Sequence, residues 1–223
     1  MACVGGGATV DPAAPAPGQV TAPAMLAPLA AAVAIGYLLG CLCGGYYLVR
    51  WLAGADIRAL HTGTAGATNA GRVLGAKGYL ATLAWDAAKG ALAAGLGGWL
   101  GGGDDFFAAA ALLGAILGHV HPAQLRFRGG KGLATAWGGA WVIDWRLAAV
   151  MIALAIALRK ALPRRDAAGW LILVLFPALA FLLHGPCGET LLAMAMAALM
   201  LANYGAERGA GDEAATGSDD SAV

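Results

Sequence analysis

The chain has 223 residues, of which 60% are hydrophobic and 12% charged, with a formal net charge of +1. A soluble domain carries about one quarter charged residues, so an ordinary soluble enzyme is excluded. With no strongly basic balance, no nucleic-acid partner is expected.

Residues 1–24 are rich in Ala, Gly and Pro and hold no basic segment ahead of the apolar run, which predicts a disordered tail rather than a cleaved signal peptide. Apolar blocks follow over residues 25–49, 78–100, 106–122, 132–143, 147–158, 167–183 and 189–204. The fourth and fifth are each shorter than the roughly 17 residues a helix needs to cross a bilayer, so they read either as two spans or as one. Charge separates the two counts. With seven crossings and the N-terminus outside, twelve of the fourteen Lys and Arg residues fall on one side: Arg50, Arg58, Arg72, Lys77, Arg126, Arg128, Lys131, Arg159, Lys160, Arg164, Arg165 and Arg208. The other side receives Arg146 together with Asp104, Asp105, Asp144 and Glu189, and Lys89 lies inside the second block. Basic loops stay in the cytoplasm, and fusing the two short blocks would export the cluster from Arg159 to Arg165.

The expected fold class is therefore all-α: a polytopic membrane protein of about seven transmembrane helices, N-terminus outside and C-terminus cytoplasmic. Trp51, Trp99, Trp145 and Trp170 fall near block ends, as interfacial anchors do. The transmembrane domain spans 25–204. Residues 205–223, with five acids against Arg208 and almost no apolar mass, are expected to be a disordered acidic tail.

Polar groups inside these blocks are informative. Asp86 and Lys89 stand three residues apart, on one face of a helix, and read equally as a structural ion pair or as part of a site. Two predicted cytoplasmic segments combine glycines with cations: Asp56 to Arg72, and Gly118 to Thr135. The run Arg128, Gly129, Gly130, Lys131, Gly132 best fits an anion cradle, in which backbone N–H groups approach a phosphate unobstructed beside fixed cations. The bland alternative is a flexible connection whose charges only set topology. A Walker loop is excluded, because its first glycine falls at Leu125 and Gly132 follows Lys131. Cys3, Cys41, Cys43 and Cys187 have no zinc or redox spacing, and His61, His119, His121 and His184 form no metal constellation, so neither metal nor cofactor is expected.

In order and spacing over about 80 residues, two stretches resemble the bacterial acyl-phosphate:glycerol-3-phosphate acyltransferases, integral membrane enzymes of phospholipid synthesis. The first carries Asp56, Ile57, Arg58, Gly63, Gly66, Ala67, Thr68, Asn69 and Arg72, then Gly75, Lys77, Asp86, Lys89 and Gly90. The second carries Gly118, His119, Pro122, Phe127, Gly129, Gly130, Lys131, Gly132, Ala134 and Thr135. The resemblance implies a seven-helix fold in the bacterial inner membrane with its motif loops facing the cytoplasm. It also implies transfer of a fatty acyl group from acyl phosphate to the 1-hydroxyl of glycerol 3-phosphate, giving lysophosphatidate and phosphate without coenzyme A. Acyl phosphate, glycerol 3-phosphate and membrane lipid are the implied partners. Thr62, Gly63, Thr68, Asn69 and Arg72 are the implied catalytic set, and Arg128, Gly129, Gly130, Lys131 and Gly132 would bind substrate phosphate. Arg58, Asp86, Lys89 and His119 are implied supports.

The sequence departs from the family in two places. His61, Thr62, Gly63 and Thr64 stand for its Gly-Ser-Gly-Asn, and Ala202 and Gly205 stand where its third motif has His and Asn. A member that has lost or changed catalysis, binding a phosphorylated lipid precursor or a partner protein, is the second reading. A small-solute transporter lined by Asp86 and Lys89 is the third.

Overall fold

The computed structural model describes residues 22–161 and 165–216, with side chains described over 25–158, 160–161 and 171–203. Among them every regular element is helical: α1 (Ala22–Cys41), α2 (Gly44–Ala53), α3 (Ala67–Leu100), α4 (Asp105–Val120), α5 (Leu133–Ile143), α6 (Trp145–Ala161), α7 (Arg165–His184) and α8 (Gly188–Thr216). Single 3-10 turns lie at Ile57–Ala59 and Ala123–Leu125.

The apolar blocks map onto these helices with three differences. The first block is two helices, broken at Leu42 and Cys43. The second begins eleven residues early, at Ala67 rather than Gly78, because the helix continues back through a kink at Gly75, whose φ of 72° a side chain resists. Thr68, Asn69 and Arg72 thus ride on the first turns of α3 rather than on a loop. The last helix runs beyond residue 204 to Thr216. Alanine and glutamate in the expected tail are good helix formers, and propagation from an existing helix needs no new nucleus. Residues 1–21 and 217–223, which hold the rest of the two expected tails, lie outside the described residues. The two short middle blocks are separate helices, divided at Asp144, whose carboxylate accepts from the N–H groups of Arg146 (2.9 Å) and Leu147 (3.4 Å) and caps α6.

Small residues fill the interior: Ala32, Ala93, Ala94, Ala108, Ala109, Ala110, Ala111 and Ala115 are buried, while Leu38, Leu80, Leu92, Trp99, Leu182 and Leu191 are each more than half exposed. Water would disfavour that arrangement, whereas lipid favours helices that meet through small residues and turn large apolar ones outward. Gly36 and Gly40 of α1 face Gly114 and Gly118 of α4. A Cβ on the first pair would overlap the carbonyls of Ala111 and Ala115, and one on the second pair those of Val33 and Tyr37. The two backbones touch reciprocally. In the same way Gly90 of α3 abuts the Thr135 carbonyl and Gly138 of α5 abuts that of Ala87. These contacts bring α1, α3, α4 and α5 together around the segments that carry the two motif stretches.

Candidate active site

The first motif loop is built around Asn69. Its side chain is fully buried, and its amide Nδ2 lies 2.9 Å from the Ile57 carbonyl, 3.0 Å from that of Leu60 and 2.9 Å from that of Thr64. Its Oδ1 accepts from the N–H of Thr62 at 3.4 Å. A buried carbonyl without a donor costs about 1–3 kcal/mol, so Asn69 closes the loop by satisfying several groups at once. With its donors spent on the loop, Asn69 shapes the site and has no spare hydrogen for a phosphate.

Asp56 and Arg58 brace the start of the same loop. Arg58 Nη2 lies 2.7 Å from Asp56 Oδ2 and Nε lies 3.0 Å from Oδ1, while Nη1 donates to the Leu125 carbonyl of the second loop at 2.5 Å. Hydrogen bonds from Arg58 hold the Asp56 carboxyl below its ordinary pKa, and the same bonds raise that of the Arg58 guanidinium. Arg58 is thereby a strut between the loops. Beyond it Thr62, Gly63 and Thr68 are exposed, with the Thr62 and Thr64 hydroxyls 3.3 Å apart.

The second loop explains its glycines differently from an anion cradle. Gly129 N–H donates to the Val120 carbonyl (3.1 Å) and Gly130 N–H to the His119 carbonyl (3.0 Å), so both amides are already used. Their carbonyls are used as well: that of Gly129 accepts from Ala65 N–H (3.1 Å) and that of Gly130 from Asn203 Nδ2 (3.3 Å). A Cβ on Gly129 would overlap the His119 carbonyl, and one on Gly130 the His119 ring. Gly129 and Gly130 are therefore there for close packing, and the bond from Ala65 to Gly129 joins the two motif loops directly. The start of α5 lies one step further on. Gly132, with φ 81°, turns the chain into α5, whose first-turn N–H groups begin at Leu133 beside Lys131.

Asp86, Lys89 and His119 sit beneath this loop and are all buried. Lys89 Nζ donates to the carbonyls of Gly40 (2.9 Å) and Leu42 (3.1 Å), lies 2.9 Å from Asp86 Oδ1 and 2.7 Å from His119 Nδ1. Asp86 Oδ1 accepts the N–H of Gly44 at 3.2 Å. The pair thus mends the broken first span: a cation meets the carbonyls that end α1, and an anion meets the N–H that begins α2. Trp85 Nε1 supports the same break from Leu42 O (3.0 Å), as does Gln124 Nε2 from Cys41 O. Of the two readings open for Asp86 and Lys89, the structural one fits these contacts.

Arg72 and Arg128 are exposed and, among the described residues, their side chains carry no ion pair or hydrogen bond; Lys131 is partly buried. Two loops knit together, with a helix start in each and these cations around them, form a surface suited to phosphate.

A family model described as glycerol-3-phosphate acyltransferase matches residues 30–208. The chain belongs to that family. A glycerol-3-phosphate acyltransferase of Symbiobacterium thermophilum (strain DSM 24528 / JCM 14929 / IAM 14863 / T) is 38% identical over 185 residues, covering 80% of this chain and 88% of the relative. Glycerol-3-phosphate acyltransferase 1 of Desulfitobacterium hafniense (strain Y51) is 48% identical over 112 residues, 50% of this chain. In that alignment the chain spans 55% of the relative's length. The crystal structure of PlsY (YgiH), an integral membrane glycerol 3-phosphate acyltransferase, in its glycerol 3-phosphate form, is similar with a TM-score of 0.74 and 26% identity over 85% of this chain and 92% of that one.

Sharing its fold with an integral membrane protein, and with large apolar side chains turned outward, this acyltransferase-family chain is a membrane protein. Asn203 of α8 is a contact of the second loop that sequence reasoning passed over. It lies one position from Ala202, in a helix otherwise read for a missing motif, and its signal was a lone amide ending an apolar stretch.

Proposed function

We propose that the chain transfers a fatty acyl group from acyl phosphate to the 1-hydroxyl of glycerol 3-phosphate, producing lysophosphatidate and inorganic phosphate. The observation that carries this reading is the bond from Ala65 to Gly129, which sets the two cationic motif loops side by side. Lys131, Arg128 and the opening N–H groups of α5 hold the phosphate of glycerol 3-phosphate. Arg72, Thr62, Thr68 and the Gly63 turn face the acyl phosphate. The 1-hydroxyl oxygen bonds to the acyl carbon, the bond from that carbon to the phosphate oxygen breaks, and the hydroxyl proton leaves on phosphate. A mixed anhydride already has a good leaving group, so alignment and charge stabilisation supply most of the rate. A serine nucleophile plays no part in this scheme, since the only serines are Ser218 and Ser221.

For topology we take seven crossings over residues 25–204, N-terminus outside, with both loops and the C-terminus in the cytoplasm of a bacterial inner membrane. The distribution of Lys and Arg supports this, and it places the loops where a lipid donor and a cytosolic dianion meet. A second reading, binding without turnover, is favoured by Ala202 and Gly205 in place of the third motif's polar pair. Purified protein supplied with acyl phosphate and labelled glycerol 3-phosphate decides between them. Labelled lysophosphatidate formed without coenzyme A is expected, whereas retention of label with no product establishes the second reading.

A further inference from the structure

The contacts around Lys89 do more than mend a helix. They run unbroken from the gap between α1 and α2, through α3, into the ring of His119 and on to the residue before Lys131. A protonated lysine can only donate, so the 2.7 Å contact from Lys89 is satisfied when Nδ1 of His119 accepts and the imidazole proton sits on Nε2. Nε2 is the ring atom that a Cβ on Gly130 would strike first. The ring therefore fills the space left by that glycine, while the His119 backbone carbonyl takes the Gly130 N–H (3.0 Å). The Gly130 carbonyl in turn accepts from Asn203 Nδ2 of α8 at 3.3 Å.

We propose that His119, fixed by Asp86 and Lys89, is a positioning residue for glycerol 3-phosphate: its ring sets the register of the Gly129–Gly130 segment and so the place from which Lys131 meets the substrate phosphate. This rests on the acyltransferase reading above. A purely structural ring would alter stability alone, whereas a positioning ring alters the affinity for one substrate of the two.

Two substitutions separate these roles, because the asparagine amide oxygen stands near Nδ1 and the glutamine amide reaches as far as Nε2. In His119→Asn, Lys89 keeps an acceptor and Gly130 loses its support. The KM for glycerol 3-phosphate is expected to rise about tenfold or more, kcat to stay within about threefold, and the KM for acyl phosphate to stay unchanged. The thermal midpoint in detergent should stay within a few degrees. His119→Gln should reverse the pattern, with a lower midpoint and a KM for glycerol 3-phosphate nearer the wild type. An active wild type whose His119→Asn variant keeps its KM, loses kcat alone, or fails to fold overturns the positioning role while leaving the acyltransferase reading intact. An inactive wild type overturns both.

Discussion

At the scale of single residues, polar groups that look catalytic in a sequence divide into those that build the site and those left free to use it. Asn69 belongs to the first kind. Replacing it with Ala leaves three loop carbonyls without their donor, so Asn69→Ala should lower stability by about 2–4 kcal/mol and abolish activity with it, read by thermal unfolding in detergent. The sequence could not make this distinction, since an amide among glycines suits a phosphate or a ring of carbonyls equally well. The glycines posed the same ambiguity. Gly129 and Gly130 promised open amides, but amide use depends on which carbonyls the fold brings near, and those of Val120 and His119 lie at the end of α4. Asp56 is the loop group whose titration matters. Its folded pKa is depressed by Arg58, so its small stabilisation is complete above the ordinary carboxylate pKa and is lost as pH falls through the lower folded value. Limited proteolysis of the loop should therefore quicken below about pH 4, and Arg58→Ala should flatten that dependence.

At the scale of elements, backbone contact between helices fixes where the loops begin. Gly36, Gly40, Gly114 and Gly118 recur at spacings of four, which permits close helix approach in lipid, but the sequence reading passed over the spacing, whose partner appears only once α1 is seen against α4. A side chain there overlaps a carbonyl, and no rotamer avoids it. Gly118→Val should thus force α1 and α4 apart at a loss of several kcal/mol, seen as aggregation in size-exclusion chromatography. The break at Leu42 and Cys43 was not legible, because no proline or polar run marks it and its compensation lies more than forty residues away in Asp86 and Lys89. Their spacing did reveal a pair on one face; what the pair serves depends on the partner helix. The extension of α3 back to Ala67 was hidden for a related reason. Gly75 and the small residues before it look like a loop, yet a kinked helix accommodates them.

At the scale of the whole molecule, composition and charge were the most informative part of the sequence. Helical content and the division of the middle blocks at Asp144 followed from apolar block length and the grouping of Lys and Arg, whereas the meeting of the two distant motifs was implied by the family resemblance. From residue 76 to 100 α3 runs about 37 Å, long enough to cross a hydrocarbon layer of about 30 Å. Beyond the kink its polar N-terminal turns stay with the loops. Under the proposed topology, a single cysteine at Lys160→Cys in a cysteine-free background reacts with a membrane-impermeant maleimide only after cells are opened. Labelling of intact cells would instead place the fourth and fifth blocks in one span.

The claim on which the rest depends is that the two knitted loops make one substrate site. Steady-state acyl transfer by Arg72→Ala and Lys131→Ala, each confirmed folded, tests it most directly. Arg72 is exposed and Lys131 only partly buried, so neither change should lower the thermal midpoint by more than a few degrees. Each should lower kcat/KM by about 100-fold, and the double variant by less than the product of the two, as expected of groups acting on a shared transition state. Full kcat/KM in either folded single variant would contradict the account.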